Sequence, residues 1–129
     1  MTRKFSARSI KNMNGIHPDL RRVLDRALQD SPFDFVVIEG LRTKERQKQL
    51  VASGASQTMH SRHLTGHAVD LLPIGPNGKP AFDWPLYHHL GPAIKEAAAK
   101  EGVMLTWGGD WRSFKDGPHY QLQWASYPA

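Results

Sequence analysis

Residues 61–72 read SRHLTGHAVDLL and combine a turn, a histidine and a nearly apolar strand in one short stretch. Residues 68–72 are apolar except for Asp70, a pattern that predicts a largely buried β-strand. A carboxylate in such a strand is costly to bury unless it is paired, hydrogen-bonded or bound to a metal. His63 lies in the loop just before the strand, where its imidazole can converge with Asp70 on one ion.

Upstream of this stretch, the sequence predicts a helix, a strand and a second helix. Residues 33–39 (FDFVVIE) are rich in β-branched and aromatic side chains and predict a strand that ends at Gly40. Thr43 can cap a helix that runs to about Ser53, which leaves Arg42 in the turn between strand and helix. The first helix is predicted after Pro18 from apolar residues at helical spacing, namely Leu20, Val23, Leu24, Ala27 and Leu28.

Downstream, a loop at residues 73–80 precedes a long helix that Pro85 opens and Gly102 ends. Residues 103–105 and 120–122 predict two further short strands. Several of the predicted strand pairs lack a helical crossover, so we expect an α+β fold with a central, mainly antiparallel sheet flanked by helices. The predicted buried stripe of the long helix is Leu86, Leu90, Ile94 and Ala97.

Length and composition limit the classes of protein to consider. The 129 residues fit one domain, residues 1–129, and we expect no separate second domain for binding. No cysteine is present, so a metal would need His, Asp or Glu ligands. We expect no membrane insertion and no signal peptide, because apolar runs are short and the basic N-terminus leads into polar residues. The net charge of +5 suits polyanionic partners or a solvated basic surface, and no nucleic-acid-binding motif accompanies it.

A second group of candidate residues lies at residues 116–121, which read DGPHYQ. Two histidines and one aspartate are a sufficient ligand set for catalytic zinc, so His63, Asp70 and His119 are the predicted metal ligands. Asp116 is then free to act as a general base, and Arg42 can stabilise an oxyanion or hold a substrate carboxylate. From spacing alone, a structural histidine–aspartate hydrogen bond is an equal alternative to a metal.

For each of several other polar and aromatic residues near these motifs, the sequence is compatible with two roles. Ser61 can bind substrate or cap the local backbone. Asp110 can orient a ligand histidine or cap a turn. His60 and His67 are alternative ligands, although both are expected to be exposed or to contact a ligand residue instead of the metal. Trp107 and Trp111 can line a groove or belong to the core.

The two motifs resemble those of the M15 zinc peptidases. The pattern SxHxxGxAxD at residues 61–70 resembles the first metal motif of that family, and DxxH at residues 116–119 resembles the second. The segment from Gly40 to Gly54 and WGGDW at residues 107–111 are also similar to family segments. The resemblance implies the M15 (Hedgehog/DD-peptidase-like) fold and one Zn²⁺ on His63, Asp70 and His119. It also implies that Asp116 is the general base and acid for a metal-activated water, and that Arg42 assists substrate or transition-state binding.

Within that family, aspartate at position 116 resembles the endopeptidase branch. The resemblance therefore implies a bacteriophage endolysin that hydrolyses the L-alanyl-D-glutamate bond of the peptidoglycan stem peptide. We expect a monomer that stays in the host cytoplasm until a holin releases it to the periplasmic cell wall. The alternatives are a D-Ala-D-Ala carboxypeptidase or dipeptidase and a non-catalytic zinc-containing wall-binding module, although the second would need neither Asp116 nor Arg42.

Overall fold

The structure is a computed structural model that describes residues 3–56 and 58–128. The assignment of residues 1–129 to a single domain stays a prediction, and positions 1, 2, 57 and 129 lie outside the described residues. Within the described part, no helix is both long and apolar enough to cross a membrane.

Residues 3–56 and 58–128 form four α-helices, and three of them match the predicted ones. The additional helix has six residues, too few to show a periodic apolar stripe, and begins where the Ser6 hydroxyl accepts a hydrogen bond from the Ser9 amide. As predicted, Thr43 caps the third helix through its side chain. The helices are α1 (Ala7–Asn12), α2 (Pro18–Asp30), α3 (Lys44–Ala52) and α4 (Trp84–Lys100).

In the described part of the chain, the sheet has four strands, all pairing antiparallel, in the order β1-β2-β4-β3. The prediction of an α+β fold with an antiparallel sheet is confirmed. The strands are β1 (Phe35–Glu39), β2 (Ala68–Pro73), β3 (Leu105–Trp107) and β4 (His119–Leu122).

The strand predicted at residues 103–105 is wrong in position. The Val103 amide donates to the Ala98 carbonyl at 2.9 Å and so closes the end of α4. Only from Leu105 onward does the chain pair with β4, where Trp107 lies opposite Tyr120.

The core lies between the sheet and the two long helices, since α2 packs on α4 and α4 packs on β2 and β3. The buried stripe of α2 is the predicted one. In α4, Leu86 is wrong as a buried position, because Tyr87 is buried there and Leu86 is only half-buried. Tyr87 packs against Gly117, where a Cβ atom would collide with its ring.

The register of the sheet positions one residue from each of three strands side by side. Asp70 in β2 lies opposite Glu39 in β1 and opposite His119 in β4. Because β2 is an inner strand, its carboxylate is flanked on both sides by polar residues of its neighbours. The sheet therefore brings together two of the predicted metal ligands, which are far apart in sequence.

Candidate metal centre and active site

The three predicted ligands converge on one point of the structure. Each of His63, Asp70 and His119 offers a donor atom, and these atoms all lie within 4.8 Å of one another. His63 comes from a short 3-10 turn, Arg62–Thr65, which ends at Gly66 with a φ of +73°. That left-handed conformation suits glycine and returns the chain directly into β2.

Hydrogen bonds on the far side of each imidazole fix which nitrogen faces the site. His63 Nδ1 donates to the Gly40 carbonyl oxygen at 2.8 Å, so its Nε2 keeps a lone pair. His119 Nε2 donates to Gln121 Oε1 at 2.8 Å, which leaves the lone pair on Nδ1. Such outer hydrogen bonds are the usual way in which proteins orient histidine ligands.

Both of these lone pairs point toward the same carboxylate oxygen. Asp70 Oδ1 lies 3.3 Å from His63 Nε2 and 3.4 Å from His119 Nδ1. Three electron-pair donors in contact with no proton between them repel one another, and a cation at their centre removes that repulsion. The donor set of two imidazoles and one carboxylate thus fits a metal ion.

The electrostatics of Asp70 agree with a cation site. Burial alone would raise the pKa of Asp70, but the two imidazoles that face its carboxylate, those of His119 and His63, outweigh burial and hold the pKa well below its usual range. The carboxylate therefore stays ionised at neutral pH inside the protein, where it can serve as an anionic ligand.

Asp116 lies at the start of the tight turn that leads into β4. Its amide donates to the Gly108 carbonyl at 3.1 Å, and its own carbonyl accepts from the His119 amide at 3.2 Å. Gly108 allows this close approach, because a Cβ atom there would collide with the Asp116 carbonyl oxygen. Burial and the neighbouring charge of Asp70 raise the pKa of Asp116, which suits a group that must accept and return a proton.

Arg42 is held on the other side of the centre by three groups. Its Nε donates to Glu39 Oε1 at 2.6 Å and its Nη1 donates to Gln47 Oε1 at 2.8 Å. Its Nη2 lies 3.7 Å from Asp70 Oδ2, a loose ion pair. The fully buried Gln47 also donates to the Thr58 carbonyl and so ties Arg42 to the loop beside it.

All five of these groups line one open groove of about 600 Å³, and Ser61 lines it too. Ser61 Oγ accepts from the His63 amide at 3.2 Å, which is the capping role. Its role in substrate binding stays a prediction.

The remaining candidates divide between the groove and the rest of the protein. Trp111 lines the groove, with its ring centroid 5.2 Å from that of His119. Trp107 is buried and stacks on Tyr120.

Asp110 binds Lys95 at 2.7 Å instead of orienting a ligand histidine. His60 lines the groove, whereas His67 contacts Thr65 and is not among the three converging ligands.

Sequence reasoning missed Gln121 and Glu39, which orient His119 and Arg42. For Gln121 a signal existed, since residues two apart in a strand share a face of the sheet.

We expect Gln121→Leu to weaken metal affinity by about 10- to 100-fold while the protein still folds. Metal titration of the purified variant measures this, with the exposed Gln49→Leu on α3 as control. Equal affinity in the two variants would contradict the orienting role.

The chain is similar to two phage proteins that are named L-alanyl-D-glutamate peptidases. The chain is 36% identical over 131 residues to the L-alanyl-D-glutamate peptidase of Listeria phage A118 and 34% identical over 122 residues to that of Escherichia phage T5. It spans 45% of the length of the Listeria phage protein and 87% of the T5 protein, and the matches cover 98% and 90% of this chain.

Solved structures agree with the sequence comparison. The crystal structure of the Serratia marcescens L-Ala D-Glu endopeptidase ChiX matches with a TM-score of 0.91 and 47% identity, over 99% of this chain and 96% of ChiX. The vancomycin-resistance D,D-dipeptidase VanXYg shares the fold, with a TM-score of 0.57 and 18% identity over 83% of this chain and 50% of that one. The model of the phage L-alanyl-D-glutamate peptidase family matches residues 1–122. The predicted resemblance is confirmed, and the chain belongs to the phage L-alanyl-D-glutamate peptidase family.

Proposed function

We propose that this chain is a zinc-dependent endopeptidase that hydrolyses the L-alanyl-D-glutamate bond of the peptidoglycan stem peptide. The observation that carries the proposal is the convergence of His63, Asp70 and His119 on one point of a groove that Asp116 and Arg42 also line. Membership in the phage L-alanyl-D-glutamate peptidase family supplies the substrate class. Zinc is our choice of metal because two imidazoles and one carboxylate are a common catalytic zinc set.

The three ligands would hold the metal, and Asp116 would move the proton. When bound, zinc makes water a competent nucleophile at neutral pH and polarises the scissile carbonyl. Asp116 accepts the proton of the attacking water and returns it to the nitrogen of D-glutamate as the carbon–nitrogen bond breaks. The products are a carboxylate on L-alanine and an amine on D-glutamate.

Arg42 would act on the charge that develops during this reaction. Its guanidinium is fixed by Glu39 and Gln47, so it needs little reorganisation to stabilise a tetrahedral oxyanion. Nη2 is the atom available for that contact, because its distance of 3.7 Å to Asp70 is longer than a hydrogen bond.

The biological setting that we propose is that of a phage endolysin. The relatives from Listeria phage A118 and Escherichia phage T5 support it. On this proposal the chain acts as a monomer, stays in the host cytoplasm until a holin pore releases it, and then cuts the wall in the periplasm. Its partner is the stem peptide.

Digestion of purified peptidoglycan tests the proposed bond. The zinc-loaded protein is incubated with the wall material, and the new termini are identified by mass spectrometry against a chelated control. We expect new D-glutamate amino termini that disappear on chelation. Release of D-alanine would instead assign the chain to carboxypeptidases, and the absence of any cleavage would favour a binding module.

A further inference from the structure

Arg62 is a buried cation in the wall of the same groove. The residue is 2% exposed, and it lies beside His63 in the short turn that carries this ligand. Its Nη2 donates to the carbonyl oxygens of Leu122 and Tyr127 at 3.0 and 2.6 Å. These two bonds fix the guanidinium at the point where the C-terminal turn follows β4.

The rest of this guanidinium has no partner among the described residues. Nε and Nη1 are buried and make no hydrogen bond within that part of the chain. Both partners of Nη2 are neutral carbonyls, so no carboxylate of the described residues balances the charge. Removing a guanidinium from water without a counter-charge is costly, and such a group is a strong binder of carboxylates.

The ring of Trp124 lies against the guanidinium. Trp124 places its ring centroid 3.9 Å from the Arg62 Cζ atom, and the same tryptophan lines the groove. A cation over an aromatic face is partly compensated for its lost hydration. Trp124 is 51% exposed and stands outside the hydrophobic core, so little packing opposes its movement.

The chemistry of the substrate supplies an anion close to the cleaved bond. Glutamate has two carboxyl groups, and only one of them can form the next peptide bond of the stem. The other remains a free carboxylate, attached to the residue whose nitrogen is released. Arg42 is poorly placed to bind it, since its Nε and Nη1 are already bonded to Glu39 and Gln47.

We propose that Arg62 binds the free carboxylate of the D-glutamate residue and selects an acidic residue on the leaving side of the bond. This inference rests on the proposed function. Nη1 donates to the carboxylate, because Nη2 is already bonded to two carbonyl oxygens and Nε faces a different edge of the guanidinium. Trp124 moves aside as the carboxylate enters. Arg62 is thus a specificity-determining residue, distinct from the groups that carry out hydrolysis.

The test compares two substrates that differ only in this carboxylate. One is a synthetic L-alanyl-D-glutamyl stem peptide with the unlinked carboxyl free, and the other has a primary amide in its place. For the zinc-loaded protein we expect kcat/KM to favour the acid by about 10- to 100-fold, chiefly through KM. In Arg62→Met the preference should fall to about one, while Arg62→Lys retains part of it.

Controls separate this role from a structural one and from net charge. Arg8→Met removes an exposed cation of α1 and should keep the full preference. A purely structural Arg62 would lower kcat/KM for both substrates equally, which would overturn the proposal. Equal rates for acid and amide in the unaltered protein would overturn it as well, even if Arg62→Met failed to fold. Absence of cleavage of both peptides would instead contradict the proposed function.

Discussion

Asp116→Asn should leave the fold and one bound zinc ion intact and should lower kcat by at least about 100-fold. The amide has the size and shape of the carboxylate, so the turn before β4 keeps its backbone bonds to Gly108 and His119. The asparagine amide, however, cannot accept a proton from water at neutral pH. Because Asp116 is not one of the three converging ligands, metal content should not change. Kinetics with a stem-peptide substrate, together with the zinc content of the same sample, measure both effects.

Asp110→Asn is the matched control for this variant. Asp110 lies in the same connection between β3 and β4, but its carboxylate is half-exposed and binds Lys95. We expect this variant to keep normal kcat. Full activity in Asp116→Asn, or a loss of zinc from it, would show that Asp116 is not the proton acceptor.

Asp70→Asn should remove the metal and the activity together. Its carboxylate oxygen is the one shared by His63 and His119, and its charge is the single negative charge in the ligand set. The loss of zinc affinity should exceed the about 10- to 100-fold expected for an outer residue such as Gln121. Asparagine fits the same place in β2, so the sheet should still form. Equilibrium zinc binding and circular dichroism measure the two properties.

A carboxylate far from the groove provides the comparison. Asp25 lies on α2, is exposed, and forms an ion pair with Arg21 at 3.1 Å. Asp25→Asn should bind zinc like the unaltered protein. If Asp70→Asn also retained zinc and activity, the histidine–aspartate cluster would be a structural hydrogen-bond network and not a metal centre.

From the sequence we could predict the site residues whose side chains have few other roles at such positions. A lone carboxylate in an apolar strand needs a partner, and that physical cost identified Asp70. The structure places donor atoms of His63, Asp70 and His119 within 4.8 Å of one another, and their role as metal ligands stays a prediction. The roles of Asp116, Arg42 and Ser61 stay predictions, although all three line the groove.

Side-chain contacts that depend on the register between neighbouring strands could not be predicted from the sequence. Glu39 lies beside Asp70 because β1 pairs with β2, and a shift between Val37 and Glu39 in that pairing sets the alignment. The position of β3 and the burial of Tyr87 also depend on contacts between distant segments, which a local pattern does not encode.

The most direct test of the account is a zinc titration of the metal-free protein, in which bound metal and cleavage of the L-alanyl-D-glutamate bond are measured in the same samples. The account predicts that both rise together and saturate at one zinc ion per chain, and that the Asp70→Asn protein shows neither. Full cleavage by the metal-free protein, or saturating zinc without cleavage of this bond, would contradict it.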